Sequence, residues 1–261
     1  MESVRVGDLA ITYRRAGFGV PVVLLHGAFG DSGDWTDDVA ALEAGHDVVA
    51  WDAPGCGGST DVPPGWTDHD WADALAGFIA TLGLDRPVVC GISLGSVMAL
   101  VLARDHPELV GALVLAGPYA GWAGSLPADE LEQRIAAVES TVTSPAEEWV
   151  DGFLETVFEQ DVAPERLAAA RRAVIASRPA TTTALLDAFS RLDLRPELSR
   201  IQVPTLVIRG EADARSSYSA ALMIARAIPD SRFTELPGLG HDCTGPAFDA
   251  QVRAFITRLW P

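Results

Sequence analysis

One stretch constrains this chain more than any other: Val88-Val89-Cys90-Gly91-Ile92-Ser93-Leu94-Gly95-Ser96-Val97-Met98-Ala99-Leu100. Its opening residues are apolar without alternation, the pattern of a strand covered on both faces. From Leu94 to Leu102 the apolar residues leave almost no polar side, so a helix there is buried. Between the two, Gly91-Ile92-Ser93-Leu94-Gly95 must fold the backbone sharply back on itself. Gly91 and Gly95 remove side chains that would collide where strand and helix meet. Ser93 is left at the tip, strained, with its hydroxyl beyond the sheet. A strand, a G-x-S-x-G turn and a helix together present a nucleophile. A glycine-flanked turn with an idle serine is the competing reading, and the flanking strand and helix argue against it.

The 261 residues fit one large α/β domain, or a core with an insertion. Hydrophobic residues at 48% are ample for a core, and charged residues at 21% are near the globular norm. The net charge of −17 repels phosphate backbones and anionic lipid, so nucleic acid and membrane surfaces are not expected partners. Lys and Asn are both absent, which reads as the coding bias of a high-GC bacterium. Without Asn there is no N-linked glycosylation. Cys56, Cys90 and Cys243 match no metal or redox spacing. No apolar signal core follows Met1, and no apolar run is as long as a membrane span. A cytoplasmic location is expected.

Around the central stretch the chain alternates. Ser3–Val6 and Leu9–Arg15 read as a hairpin about Gly7-Asp8. Pro21–His26, Val48–Trp51, Val110–Ala116, Pro204–Arg209 and Phe233–Leu236 read as strands. Asp34 is placed to cap a helix running to Leu42, and further helices fall near Asp70–Leu82, Tyr218–Ala227 and from Pro246 onward. From Gly117 to about Arg200 the alternation stops and four helical patterns follow one another. Gly17-Phe18-Gly19 lacks the third glycine and the helix of a dinucleotide site.

A serine hydroxyl needs a base, and the base needs an acid to orient it. In open parallel sheets reactive groups gather beyond the carboxyl ends of strands. His241 follows the last strand in a glycine-rich loop and is the expected base. His46, His69 and His106 lie elsewhere, and His26 reads as loop scaffold. Asp213 follows Pro204–Arg209 and is the expected acid, with Glu211 as the alternative. The order Ser93, Asp213, His241 is the Ser–Asp–His order associated with this turn. Oxyanion donors are expected from the N–H of Leu94 and from the His26-Gly27-Ala28-Phe29 turn: Ala28 first, Phe29 as fallback.

With these pieces in place the chain resembles the α/β-hydrolases, specifically the capped, esterase- and lactonase-like members. The matching residues are His26-Gly27-Ala28-Phe29-Gly30, Asp52-x-Pro54-Gly55-x-Gly57-x-Ser59, Gly91-x-Ser93-x-Gly95, Gly210-x-x-Asp213 and Gly240-His241. The resemblance implies a mostly parallel eight-stranded sheet flanked by helices, formed by residues 1–117 and 201–261, with an all-helical cap over 118–200. It also implies that Asp52 and its glycine turn are scaffold. Dehalogenases and epoxide hydrolases of this fold carry aspartate where this chain has Ser93. Carbon–carbon bond hydrolases usually carry Asn where it has Ile92. Ser96 replaces a common third glycine and is expected only to alter packing.

The expected activity is hydrolysis, without cofactor or metal, of a small-to-medium, largely apolar carboxylic ester or lactone through an acyl-enzyme on Ser93. The partner is thus a small-molecule substrate. Phe29, Trp122, Trp149, Phe153, Phe158 and Phe189 are candidate pocket residues. The alternatives are carbon–carbon cleavage or perhydrolysis by the same triad, and a non-catalytic ligand receptor on the same fold.

Overall fold

The computed structural model describes residues 1–158 and 162–261. The hairpin comes first. Strand β1 (Glu2–Val6) and strand β2 (Leu9–Ala16) pair antiparallel around Gly7, whose φ of +58° suits glycine. Strands β3 (Val20–Leu25), β4 (His46–Trp51), β5 (Val88–Ile92), β6 (Ala112–Ala116), β7 (Thr205–Gly210) and β8 (Ser231–Leu236) follow. The eight strands form one sheet in the order β1-β2-β4-β3-β5-β6-β7-β8. From β4 to β8 every neighbouring pair is parallel, while β2 joins β4 antiparallel.

Side chains alternate across each strand, so the unbroken apolar runs feed two cores at once. On one face Val23, Leu25, Val49, Trp51 and Val89 pack with helix α2 (Asp68–Thr81), helix α3 (Leu94–Asp105) and helix α8 (Tyr218–Ala227). On the other, Val22, Leu24, Val48, Ala50 and Val88 pack with helix α1 (Thr36–Leu42) and helix α9 (Pro246–Leu259). Each fully buried Val, Leu or Phe contributes roughly 1.5–3 kcal/mol. The edge strand β8 carries Arg232 and Glu235, a charged edge that discourages pairing with another sheet.

Several element ends differ from the sequence reading. Strands β4 and β8 begin two residues earlier than their apolar runs, because β3 and β7 extend the ladder to His46 and Ser231. Asp34 caps nothing. The side chain of Asp31 accepts from the N–H of Gly33 (2.6 Å) and opens a 3-10 turn over Ser32–Trp35, from which α1 continues at Thr36. A tight turn ahead of a helix moves the cap upstream, and periodicity does not register it.

Between β6 and β7 the chain leaves the sheet. Helices α4 (Ala128–Thr143), α5 (Val150–Glu155), α6 (Pro164–Ala176) and α7 (Pro179–Phe189) fall here, and prolines open α6 and α7 at their first position. Val150, Leu154 and Val174 form a small core of their own, against which Phe29, Trp149, Phe153 and Phe158 pack. Helix α7 is anchored differently: Phe189 is buried in the main core, with its ring 6.1 Å from that of Trp71. No helix among the described residues is long and apolar enough to cross a membrane.

Candidate active site

Ser93 sits between β5 and α3 at φ +54° and ψ −116°, a conformation that costs on the order of 1–3 kcal/mol for a residue with a side chain. Its surroundings impose this geometry. A Cβ on Gly91 would strike the carbonyl of Gly95, and one on Gly95 would strike the carbonyls of Leu25 and His26. The N–H of Ser93 donates to Ala116 O (2.9 Å) at the end of β6. Ser96 does more than alter packing, contrary to the sequence expectation. Its hydroxyl donates to Ser93 O (2.6 Å) and accepts from the N–H of Tyr119 (3.3 Å), which joins the turn to the loop after β6. In the first helical turn a hydroxyl reaches the carbonyl three residues back, and a glycine there has nothing to offer.

His241 follows β8 and is 4% exposed. Its Nδ1 lies 3.0 Å from Asp213 Oδ2 and 3.1 Å from Oδ1. A carboxylate accepts only, so Nδ1 carries the hydrogen and Nε2 is the free acceptor. Burial alone would raise the Asp213 pKa. The hydrogen bond and charge of His241, with the N–H groups of Ser216 and Arg215, hold it below the usual carboxylate value. Those N–H groups reach Asp213 Oδ1 at 2.9 and 2.7 Å. Among the described residues nothing hydrogen-bonds Nε2, Ser93 Oγ included. The two side chains nonetheless share one cavity. Gly117, which follows the Ala116 that accepts from Ser93, backs the imidazole so closely that a Cβ would lie 3.0 Å from its Cε1.

The other expected residues have separate duties. Glu211 Oε2 accepts from the N–H of Gly238 (3.0 Å) and ties two loops together, away from the imidazole. His26 is neutral scaffold. Its Nε2 accepts from the N–H of Ala53 (3.1 Å), its Nδ1 donates to Gly27 O (2.8 Å), and burial lowers its pKa. Asp52 holds the glycine turn by accepting from Thr12 Oγ1 and from the N–H groups of Ser32 (2.7 Å) and Gly58 (3.1 Å). These bonds outweigh its burial and lower its pKa.

Arg209, which the sequence reading did not single out, cradles the loop that carries Asp213. It donates to Asp213 O (2.7 Å), Ser216 O (2.9 Å) and Glu211 O (3.2 Å), and pairs with Glu235 (2.7 Å). A cation at the end of an otherwise apolar strand, Leu206-Val207-Ile208-Arg209, is the signal that marks it. Asp242, beside His241, is tied to the helical segment. Its carboxylate takes Arg166 Nη2 at 2.7 and 2.8 Å, and its N–H donates to Val157 O (2.9 Å).

The turn after β3 lies against the serine: a Cβ on Gly27 would be 3.5 Å from Ser93 Cβ. Ala28, Phe29 (φ +64°) and Leu94 all line the cavity. Leu94 is the first residue of α3, so its N–H has no carbonyl four residues back to bond. The cavity measures about 740 Å³. Trp122, Trp149, Phe153, Phe158 and Phe189 line it as well. Phe29 stacks 5.2 Å from both Trp149 and Phe153, so one wall is aromatic and joins the sheet to the helical segment.

The model of the alpha/beta hydrolase fold family matches residues 20–243. The chain belongs to that family, as a hydrolytic enzyme of the α/β-hydrolase type. It is 31% identical over 235 residues to the pimeloyl-[acyl-carrier protein] methyl ester esterase of Aromatoleum aromaticum, covering 84% of this chain and 90% of that one. It is 30% identical over 255 residues to a Klebsiella pneumoniae subsp. pneumoniae protein assigned as the carbamate hydrolase RutD, covering 93% and 94%. The crystal structure of the enol-lactonase from Burkholderia xenovorans LB400 superposes with a TM-score of 0.87 at 26% identity, covering 98% of this chain and 100% of that one.

Proposed function

We propose that the protein is a serine hydrolase cleaving a small-to-medium, largely apolar carboxylic ester or lactone, with Ser93 as nucleophile, His241 as base and Asp213 as its orienting acid. The observation that carries this reading is the imidazole. Its Nδ1 is bonded to a buried carboxylate, its Nε2 has no hydrogen-bond partner among the described residues, and His241 and the strained serine line one cavity. Nucleophile–base pairs are often loose without substrate and tighten in the reacting complex.

Nε2 takes the Ser93 proton as Oγ attacks the carbonyl carbon. The carbonyl oxygen becomes an oxyanion, which accepts from the N–H groups of Leu94 and Ala28, with Phe29 as the alternative to Ala28. The proton on Nε2 passes to the leaving alkoxide as the ester C–O bond breaks. Water then gives a proton to Nε2 and its hydroxide to the acyl carbon, and the acid departs as Ser93 recovers its proton. The aromatic wall holds the apolar part of the substrate, and segment 118–200 acts as a cap that limits water.

A fluorophosphonate probe is expected to label Ser93 in the folded protein. Ser93→Ala is expected to lower kcat on p-nitrophenyl butyrate by about 10⁵–10⁶-fold. An unlabelled serine, or a variant as fast as the parent, removes this reading.

A further inference from the structure

Arg215 lines the cavity. Every other cavity-lining arginine, namely Arg134, Arg166 and Arg178, pairs with Glu130, Asp242 or Asp61, whereas Arg215 forms no ion pair among the described residues. Its Nη1 donates to Thr156 Oγ1 (2.6 Å), a neutral group, and its guanidinium lies 5.2 Å from the centre of the Phe153 ring. Asp213, two residues away, is occupied by His241 and by the N–H groups of Arg215 and Ser216.

A partly buried cation without a counter-ion is costly. Here the cost is raised by a second cation. Arg134, on α4, donates to the Tyr119 hydroxyl (2.9 Å) and to the carbonyl of Arg215 (3.4 Å). Burial, with the charge of Arg134 added to it, pulls the Arg215 guanidinium below its ordinary pKa. An anion arriving between Arg215 and the cavity would relieve both effects. A planar guanidinium with free N–H groups fits a carboxylate, which accepts two parallel hydrogen bonds.

Resting on the serine-ester reading, we propose that the substrate carries a carboxylate apart from the scissile group, as in a monoester of a dicarboxylic acid, and that Arg215 pairs with it. The aromatic wall then holds the chain between the two ends. Arg215 is the specificity determinant, acting on which ester is chosen and leaving the chemistry at Ser93 unchanged.

The test compares kcat/KM for monomethyl esters of succinate through pimelate with methyl alkanoates of matched length, and the readout is the ratio of the two. The parent is expected to favour the anionic ester by about 10–100-fold, as for a hydrogen bond to a charged group. Arg215→Gln is expected to bring the ratio near one, and Arg215→Lys to restore part of it. Thr156→Val, which removes the tie to α5 and keeps the charge, is expected to preserve the ratio. An unchanged ratio in Arg215→Gln, or an equal collapse in Thr156→Val, overturns the proposal, since Arg215 is then only a strap.

Recognition is measured apart from turnover by titrating glutarate into Ser93→Ala protein with and without Arg215→Gln. Binding weakened at least about tenfold by the second change supports the proposal, and equal or absent binding in both refutes it. If no ester is cleaved and Ser93 is unlabelled, the serine-ester reading fails, while the glutarate titration still decides the role of Arg215.

Discussion

At the scale of single residues, the site depends on which atom of which side chain is already engaged. Asp213 and Glu211 are two residues apart on one loop, yet only Asp213 reaches His241, because Arg209 and the N–H groups of Arg215 and Ser216 fold the loop around it. Asp213→Asn preserves the shape but can present an N–H to Nδ1, which favours the imidazole tautomer with its hydrogen on Nε2. The expected result is a loss of roughly 10⁴-fold in kcat with little change in KM, by analogy with other triads. Glu211→Gln, which keeps an acceptor for Gly238, is expected to stay within a few-fold of the parent. Steady-state assays of both variants on one p-nitrophenyl ester check the contrast, and similar losses in the two would contradict it.

At the scale of elements, α1 and α9 are joined by a pair of buried acids. Asp38 on α1 is 1% exposed and Asp249 on α9 is 3% exposed. Asp38 accepts from the N–H of Gly245 (2.9 Å), while Asp249 Oδ1 has no hydrogen-bond partner among the described residues. Burial, followed by the charge of Asp38, pushes the Asp249 pKa up to about 7. Burial also raises that of Asp38. A carboxyl whose pKa is higher folded than unfolded keeps its proton in the native state while the unfolded chain releases it. Stability therefore falls as pH rises from about 4 to about 7 and levels off above that range. Thermal unfolding from pH 5 to pH 8 is expected to show Tm falling in the parent and falling less in Asp249→Asn. Parallel curves would show that the pair does not carry the effect.

The elements were legible in the sequence where periodicity is strong and one feature dominates. The β5–turn–α3 stretch announced itself because two glycines flank a serine between apolar runs. The order of Ser93, Asp213 and His241 followed from looking only at loops beyond strand ends. The cap of α1 was not legible, because Asp31 acts through a 3-10 turn that leaves no periodic mark. The bridging role of Ser96 depends on Tyr119 arriving from the next strand. Arg215 was passed over because a cation in a polar loop reads as solvated. Only the tertiary structure shows that it lies against Phe153 and Thr156 and forms no ion pair among the described residues.

At the scale of the molecule, stability is unevenly spread. All five residues of β5 are buried, between cores on both faces. Helix α7 shares the main core through Phe189, whereas α5 and α6 rest chiefly on Val150, Leu154 and Val174. Local opening follows the density of buried apolar contacts. Hydrogen exchange is expected to be fastest in α5 and α6, slower in α7, and slowest in β5 by several orders of magnitude. Exchange in α5 and α6 as slow as in β5 would show that the helical segment opens only with global unfolding.

The link through Asp242 has a consequence for anyone who would remodel this enzyme. Asp242, next to His241, is clamped by Arg166 and hydrogen-bonded to Val157, so the imidazole takes its bearings partly from the helical segment. Trimming that segment to widen the cavity for bulkier guests would therefore also slacken the hold on the imidazole. Under the proposed function, breadth of diet and speed of turnover are harnessed to the same few atoms, and variants selected for one should drift in the other.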